Sequence, residues 1–290
     1  MTEQKPPEAN PASFDTRSPN FPPDPPTHSN LSYSTYLKVE ELLTLQQPVS
    51  VPEHHDEHLF ILIHQVYELW FKQLLHELDA LRDAFDADRV LVGHKIMRRV
   101  VTIQGVLQAQ LAVLETMTPE DFSHFRSLLN PASGFQSAQF RELEAASGYK
   151  DPRFLKLHRR VPSAHERLKR RLETPSVWDR FCALLKRRGF DVIDRAPEQG
   201  TPESDALVEA LRLIYQSPED NYDLYLMSEY LIEYDERFQM WRFGHVKMVE
   251  RTIGSKVGTG GSPGASYLRT TVYRRIFPEL WDVRAVLGTR

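Results

Sequence analysis

Apolar residues recur at intervals of three and four along almost the whole chain, and no alternating apolar–polar run is bounded by the Asn-Gly or Asp-Gly turns of a hairpin. A period of that kind cannot put one side of a strand into a core, so the pattern predicts an all-α fold. Helices are expected over Thr35–Gln46, His55–Phe85, Val90–Glu115, Ser137–Ala146, Ser163–Leu172, Ser176–Arg187, Pro202–Gln216 and Pro218–Ile253. Thr118 before Pro119, Thr174 before Pro175 and Ser217 before Pro218 each read as a capping side chain followed by proline at the first helical position.

Residues 1–30 are crowded with proline (Pro6, Pro7, Pro11, Pro19, Pro22, Pro23, Pro25 and Pro26) and hold little to pack, so a disordered tail is expected there. Nothing divides the remainder, and residues 31–290 read as one domain. The longest apolar run, Leu59–Ile63, falls far short of the roughly 20 residues that cross a bilayer, so no membrane association is expected. Cys182 is the single cysteine, which excludes an internal disulfide framework and suits a reducing cytoplasm. A net charge of −4 argues against a nucleic-acid partner. The one basic run, Lys156–Glu173, has helical spacing and no interleaved aromatics, as expected of a solvated face or a subunit contact.

Two segments bear the chemistry. In FILIHQVYELWFK, His64 shares a helix face with Phe60, Tyr67 and Phe71, while Leu59, Ile63, Val66, Leu69 and Trp70 fill the other, so the helix is expected to lie deep. In FQMWRFGHVKMVERTIG, His245 stands among Phe238, Trp241, Met248 and Val249. Either histidine could be a core imidazole bonded to a carbonyl; together they suggest a haem pocket, one imidazole ligating iron and the other standing over a bound molecule. Two further arrangements, His54 and His58 in HHDEH and the pair His158 and His165, match no zinc signature well, and Pro52 and Asp56 look like helix-start signals.

The loop GSKVGTGGSPG lacks the order of a Walker motif, yet its glycine N–H groups and the Thr259 hydroxyl could grip a small carboxylate; it could equally be a plain helix-ending loop. Arg126, in an aromatic neighbourhood ahead of Ser133 and Gly134, offers a guanidinium suited to a carboxylate. Arg141 and Glu144 read as an ordinary helical pair without a role. Cys182 sits in RFCALLKRRGF, without the glycine-flanked loop expected of a haem thiolate ligand.

Taken in order, YSTYLKVEELLTLQQP, HHDEHLFILIHQVYELWFKQLLHEL, FRSLLNPASGFQSAQFRELE and WRFGHVKMVERTIGSKVGTGGSPGASYL resemble the tryptophan 2,3-dioxygenase family. The resemblance implies a homotetramer of helical bundles, each enclosing one haem b, that adds dioxygen across the C2–C3 bond of L-tryptophan to give N-formyl-L-kynurenine, the first step of the kynurenine pathway. It implies His245 as the iron ligand and His64 as the distal histidine near the indole N–H. Phe60 would pack against the substrate ring, Arg126 with Thr259 would bind its carboxylate, and Ser133 and Phe122 would lie beside the haem. Tyr33, Tyr36 and Leu37 would come from a neighbouring subunit to close the pocket. Phe122 stands where bacterial members often have tyrosine, Gly244 where a polar or basic residue is common, and Pro263 enters the glycine loop. Those departures keep open a haem-dependent monooxygenase of a substituted tryptophan or another aromatic amino acid. A gas sensor without turnover would have no use for a clamp of Arg126 and Thr259.

Overall fold

The computed structural model describes residues 31–254, 256 and 264–288. They fall into two units, one ending at Leu45 and one beginning at Gln46. In the first, α1 (Tyr33–Leu37) starts at a capping box between Ser32 and Thr35, and α2 (Val39–Leu42) follows directly. The continuous helix expected over Thr35–Gln46 is therefore broken. Lys38, at φ 56° and ψ 42°, adopts the left-handed conformation, which a periodic pattern of apolar residues does not register. Tyr33, Tyr36 and Leu37 are all exposed.

The second unit is built on three long helices: α3 (His55–Asp86), α4 (Val90–Leu114) and, later in the chain, α10. After α4 comes α5 (Pro119–Arg126), whose start is the expected one: Thr118 and Asp121 form a reciprocal capping box ahead of Pro119. Short 3-10 turns over Ser127–Leu129 and Gly134–Gln136 lead to α6 (Ala138–Ser147), capped by Ser137. A further turn, Pro152–His158, precedes α7 (Pro162–Glu173), then α8 (Val177–Arg187), α9 (Pro202–Gln216), α10 (Tyr222–Ile253), α11 (Ala265–Arg269) and α12 (Pro278–Val286). The described residues contain no strand, in agreement with the all-α reading.

Two of the three proline-marked starts are displaced. Thr174 closes α7, its N–H bonding to the Arg170 carbonyl, and α8 is instead capped by Ser176 in a reciprocal box with Asp179. Ser217 likewise closes α9 through Leu213, and residues 218–221 form a turn before α10 begins at Tyr222. In both places the preceding helix captures the backbone N–H of the residue expected to open the next.

α4 lies between α3 and α10, and α6 packs on α3. Leu78, Leu81 and Phe85 of α3, Met97 and Val100 of α4, and Leu231 and Tyr234 of α10 form the centre of the core, and burial of each stabilises the fold by about 1.5–3 kcal/mol. The basic run is only partly a solvated face: Arg167 pairs with Glu142 on α6, and Arg171 clasps Asp79 on α3. Nor is all of α3 deep. Leu69 is 52% exposed, and with Val66, Trp70, Gln73, Arg99 and Ile103 it lines a shallow open depression, an apolar strip that no other described part of this unit covers. No single described helix is long and apolar enough to cross a membrane.

Candidate active site

A cavity with about 270 Å³ of open space lies among α3, α4, α5, α6 and α10. Its wall brings together six residues to which the resemblance gives a place in the site: Phe60, His64, Phe122, Arg126, Ser133 and His245. Thr259 and Pro263 lie outside the described residues, and Tyr33, Tyr36 and Leu37 belong to the first unit.

His64 is supplied by α3, one turn beyond Phe60. Its Nδ1 lies 2.7 Å from the Phe60 carbonyl oxygen, which can only accept, so Nδ1 carries the proton and donates. The neutral ring is thereby left with a bare lone pair on Nε2. Burial depresses the basicity of His64, against the pull of the Phe60 carbonyl and the Glu68 carboxylate. The rings of Phe60 and His64 are 4.2 Å apart, and Phe122 stacks on Phe60 at 5.5 Å, so three aromatic rings form one continuous wall.

His245 is carried by α10, one turn after Trp241, whose ring stacks on it at 5.3 Å and 8°. It is half-buried and lines the cavity. That enclosure, with His64 as the nearby like group, lowers its pKa to about 4, so the imidazole is neutral near pH 7. Neither ring nitrogen forms a hydrogen bond among the described residues. A neutral imidazole of this kind is the donor that iron or another borderline metal takes.

The charge on the wall is uneven. Glu144 accepts from Arg141 at 2.7 Å and from Arg242 at 2.8 Å, so two buried guanidiniums share one carboxylate. Arg242 also reaches the Arg274 carbonyl, and Arg141 lies over the Phe154 ring at 3.9 Å, yet Arg141 Nε has no hydrogen-bond partner among the described residues. The Trp241 indole N–H likewise reaches no acceptor at full hydrogen-bond geometry among the described residues, although it faces the Tyr67 phenol and pulls it down against the burial that pushes it up to about 12. Surplus donors and surplus positive charge beside a neutral imidazole suit a ligand with an iron centre and carboxylate arms, and haem b has both. The residues present therefore fit the haem predicted from the sequence.

Arg141 and Glu144, which the sequence alone reads as an ordinary helical pair, thus belong to the cavity wall, because Arg242 arrives from α10 to share the carboxylate. Glu68 was also missed; it accepts from Ser137 at 2.6 Å and Gln139 at 2.7 Å and so fixes the entry to α6 beside Ser133. Elsewhere, His54 caps α3 and stacks on His124 at 4.9 Å. Cys182 lies in the core, away from the cavity wall, where burial holds its thiol well above the ordinary value, in keeping with its exclusion as a thiolate ligand.

The profile of the tryptophan 2,3-dioxygenase family matches residues 24–188 and 159–287. The chain is 49% identical over 261 residues to the tryptophan 2,3-dioxygenase of Herpetosiphon aurantiacus, covering 89% of this chain and 98% of that protein. It is 46% identical over 270 residues to that of an Anaeromyxobacter species, covering 91% and 99%, and 45% identical over 263 residues to that of Myxococcus xanthus, covering 88% and 89%.

Proposed function

Because the chain belongs to the tryptophan 2,3-dioxygenase family, we propose that it uses dioxygen to cleave the indole C2–C3 bond of L-tryptophan, giving N-formyl-L-kynurenine. One observation supports this most directly: two neutral histidines, one ring left with a bare lone pair and the other without a hydrogen bond among the described residues, line a single cavity with surplus donors.

In this reading His245 ligates the iron, and Arg141 with the Trp241 N–H holds the carboxylate arms of haem b, one per subunit. When bound, haem supplies the ferrous iron that activates dioxygen, a molecule that singlet organic substrates otherwise meet slowly. The protein contributes orientation and dryness. Arg126, with Thr259, grips the substrate carboxylate, and the ring packs against Phe60. His64 Nε2 accepts a hydrogen bond from the indole N–H, fixing the C2–C3 edge. Ser133 and Phe122 border the haem. Tyr33, Tyr36 and Leu37 close the pocket of a neighbouring subunit in a homotetramer, a reading supported by the exposure of both tyrosines, 78% and 70%, in the single chain.

The reduced, haem-loaded protein given L-tryptophan and oxygen is expected to develop the aryl-ketone absorbance of N-formylkynurenine. His245→Ala should abolish it together with the normal Soret band. His64→Ala should keep the haem but lose about tenfold or more in kcat/KM, with weaker tryptophan binding. A hydroxylated or oxindole product would overturn the assigned reaction, and normal binding with no turnover would overturn the orienting role of His64.

A further inference from the structure

Glycine is the poorest ordinary residue for a helix interior, yet three glycines occupy the seam between α4 and α10 or its immediate flank. At each, a Cβ would intrude on a neighbouring side chain. From Gly93 it would lie 2.8 Å from Met227 Cε, from Gly105 3.3 Å from Arg237 Nη1, and from Gly244 2.9 Å from Leu111 Cδ1. Ordinary contacts are 3.4–4 Å, so a side chain at position 244 would have to win about half an ångström.

Position 244 differs from the other two in where that displacement would go. Leu111 is 6% exposed and lines the cavity together with Trp241, His245 and Met248. Close-packed neighbours resist on the core side, and the open space lies on the cavity side. The relief is therefore a swing of Leu111 into the cavity or a retreat of α10 at the residue before His245.

We infer that Gly244 is a positioning residue: its bare backbone seats Leu111 and so sets the depth at which His245 meets the cavity. The inference rests on the reading of His245 as an iron ligand for its catalytic consequence, but not for the displacement itself.

Four variants test it: Gly244→Ala, Leu111→Ala, the double variant, and Gly93→Ala as an equally crowded position outside the cavity wall. In the haem-free protein, the Leu111 methyl resonances, identified by their loss in Leu111→Ala, should shift in Gly244→Ala and stay in place in Gly93→Ala. In the ferrous haem protein, Gly244→Ala should move the iron–histidine stretching band and lower kcat about tenfold, the effect expected of a sub-ångström misplacement. The double variant should recover both to within about twofold, since the shortened side chain at position 111 leaves room for the new Cβ.

Unmoved Leu111 methyls in Gly244→Ala would overturn the proposal, and so would a double variant that recovers nothing. An identical band shift in Gly93→Ala would reduce the effect to general seam packing and would also overturn it. If His245→Ala retained the iron–histidine band, the ligand assignment would fall, while the methyl resonances would still decide whether Gly244 seats Leu111.

Discussion

Two stretches of α10 bury polar groups and treat them in opposite ways. At Asp235, which is wholly buried, one carboxylate oxygen accepts the backbone N–H groups of Ile276 and Phe277 at 2.9 and 3.1 Å and the Trp281 indole at 3.0 Å. Further along, and among the described residues, the Trp241 N–H meets no acceptor at full hydrogen-bond geometry, His245 has no hydrogen bond, and Arg242 helps crowd two cations onto one carboxylate. A buried polar group with every valence met holds a fold together, whereas one left with donors to spare is set against a molecule that has yet to arrive. One helix thus serves as scaffold at Asp235 and as binding wall at Trp241–His245.

Asp235→Ala attacks the satisfied stretch. It leaves two buried backbone N–H groups and the half-buried Trp281 indole without their acceptor, and urea unfolding of the haem-free protein should register a loss of about 4 kcal/mol. A loss below about 1 kcal/mol would dissolve the contrast.

The second test concerns pH. An unfolded histidine titrates near 6.5, whereas His245 in the folded protein is held to about 4. Between those values the unfolded chain takes up a proton that the folded one refuses. Stability of the haem-free protein is therefore complete above about 6.5 and falls as the pH drops toward 4, by about 3 kcal/mol. His64, also depressed, adds in the same direction. His245→Gln should flatten the slope over this window, and an unchanged slope would refute the buried neutral imidazole.

The smallest effect belongs to the unspent donors. Arg141→Gln should weaken haem retention about tenfold, the order of one charge-assisted hydrogen bond, and leave the binding of haem dimethyl ester as in the wild type. Equal losses for both porphyrins would show that Arg141 acts by packing alone.

The satisfied and unsatisfied regions were not equally legible in the sequence. Long amphipathic helices declared themselves: α9 has the bounds its pattern predicts, and α3 and α4 differ from theirs by one residue. The left-handed Lys38 and the turn at 218–221 did not, because both are settled by which neighbour wins a backbone hydrogen bond. α11 and α12 went unpredicted because each is short, and only tertiary burial of Leu280 and Val283 identifies α12. In the site, His64 and His245 were visible as lone imidazoles in aromatic settings. Arg141 and Glu144 were not, since a spacing of three looks the same on a solvated helix and against a guanidinium arriving from elsewhere in the chain. The reason for the glycine beside His245, costly by about 1 kcal/mol in a helix, is legible only in three dimensions, where Leu111 lies close to the place its Cβ would take.

The tether between His64 and its own helix has a chemical corollary. With one ring nitrogen committed to the Phe60 carbonyl, the opposite edge is electron-rich and carries no hydrogen to give. A visitor must bring that hydrogen itself. Heterocycles of the same outline with sulfur, oxygen or a methylated nitrogen at that corner would meet lone pair against lone pair or a steric block, so this corner of the cavity selects by what a ring can donate rather than by its shape.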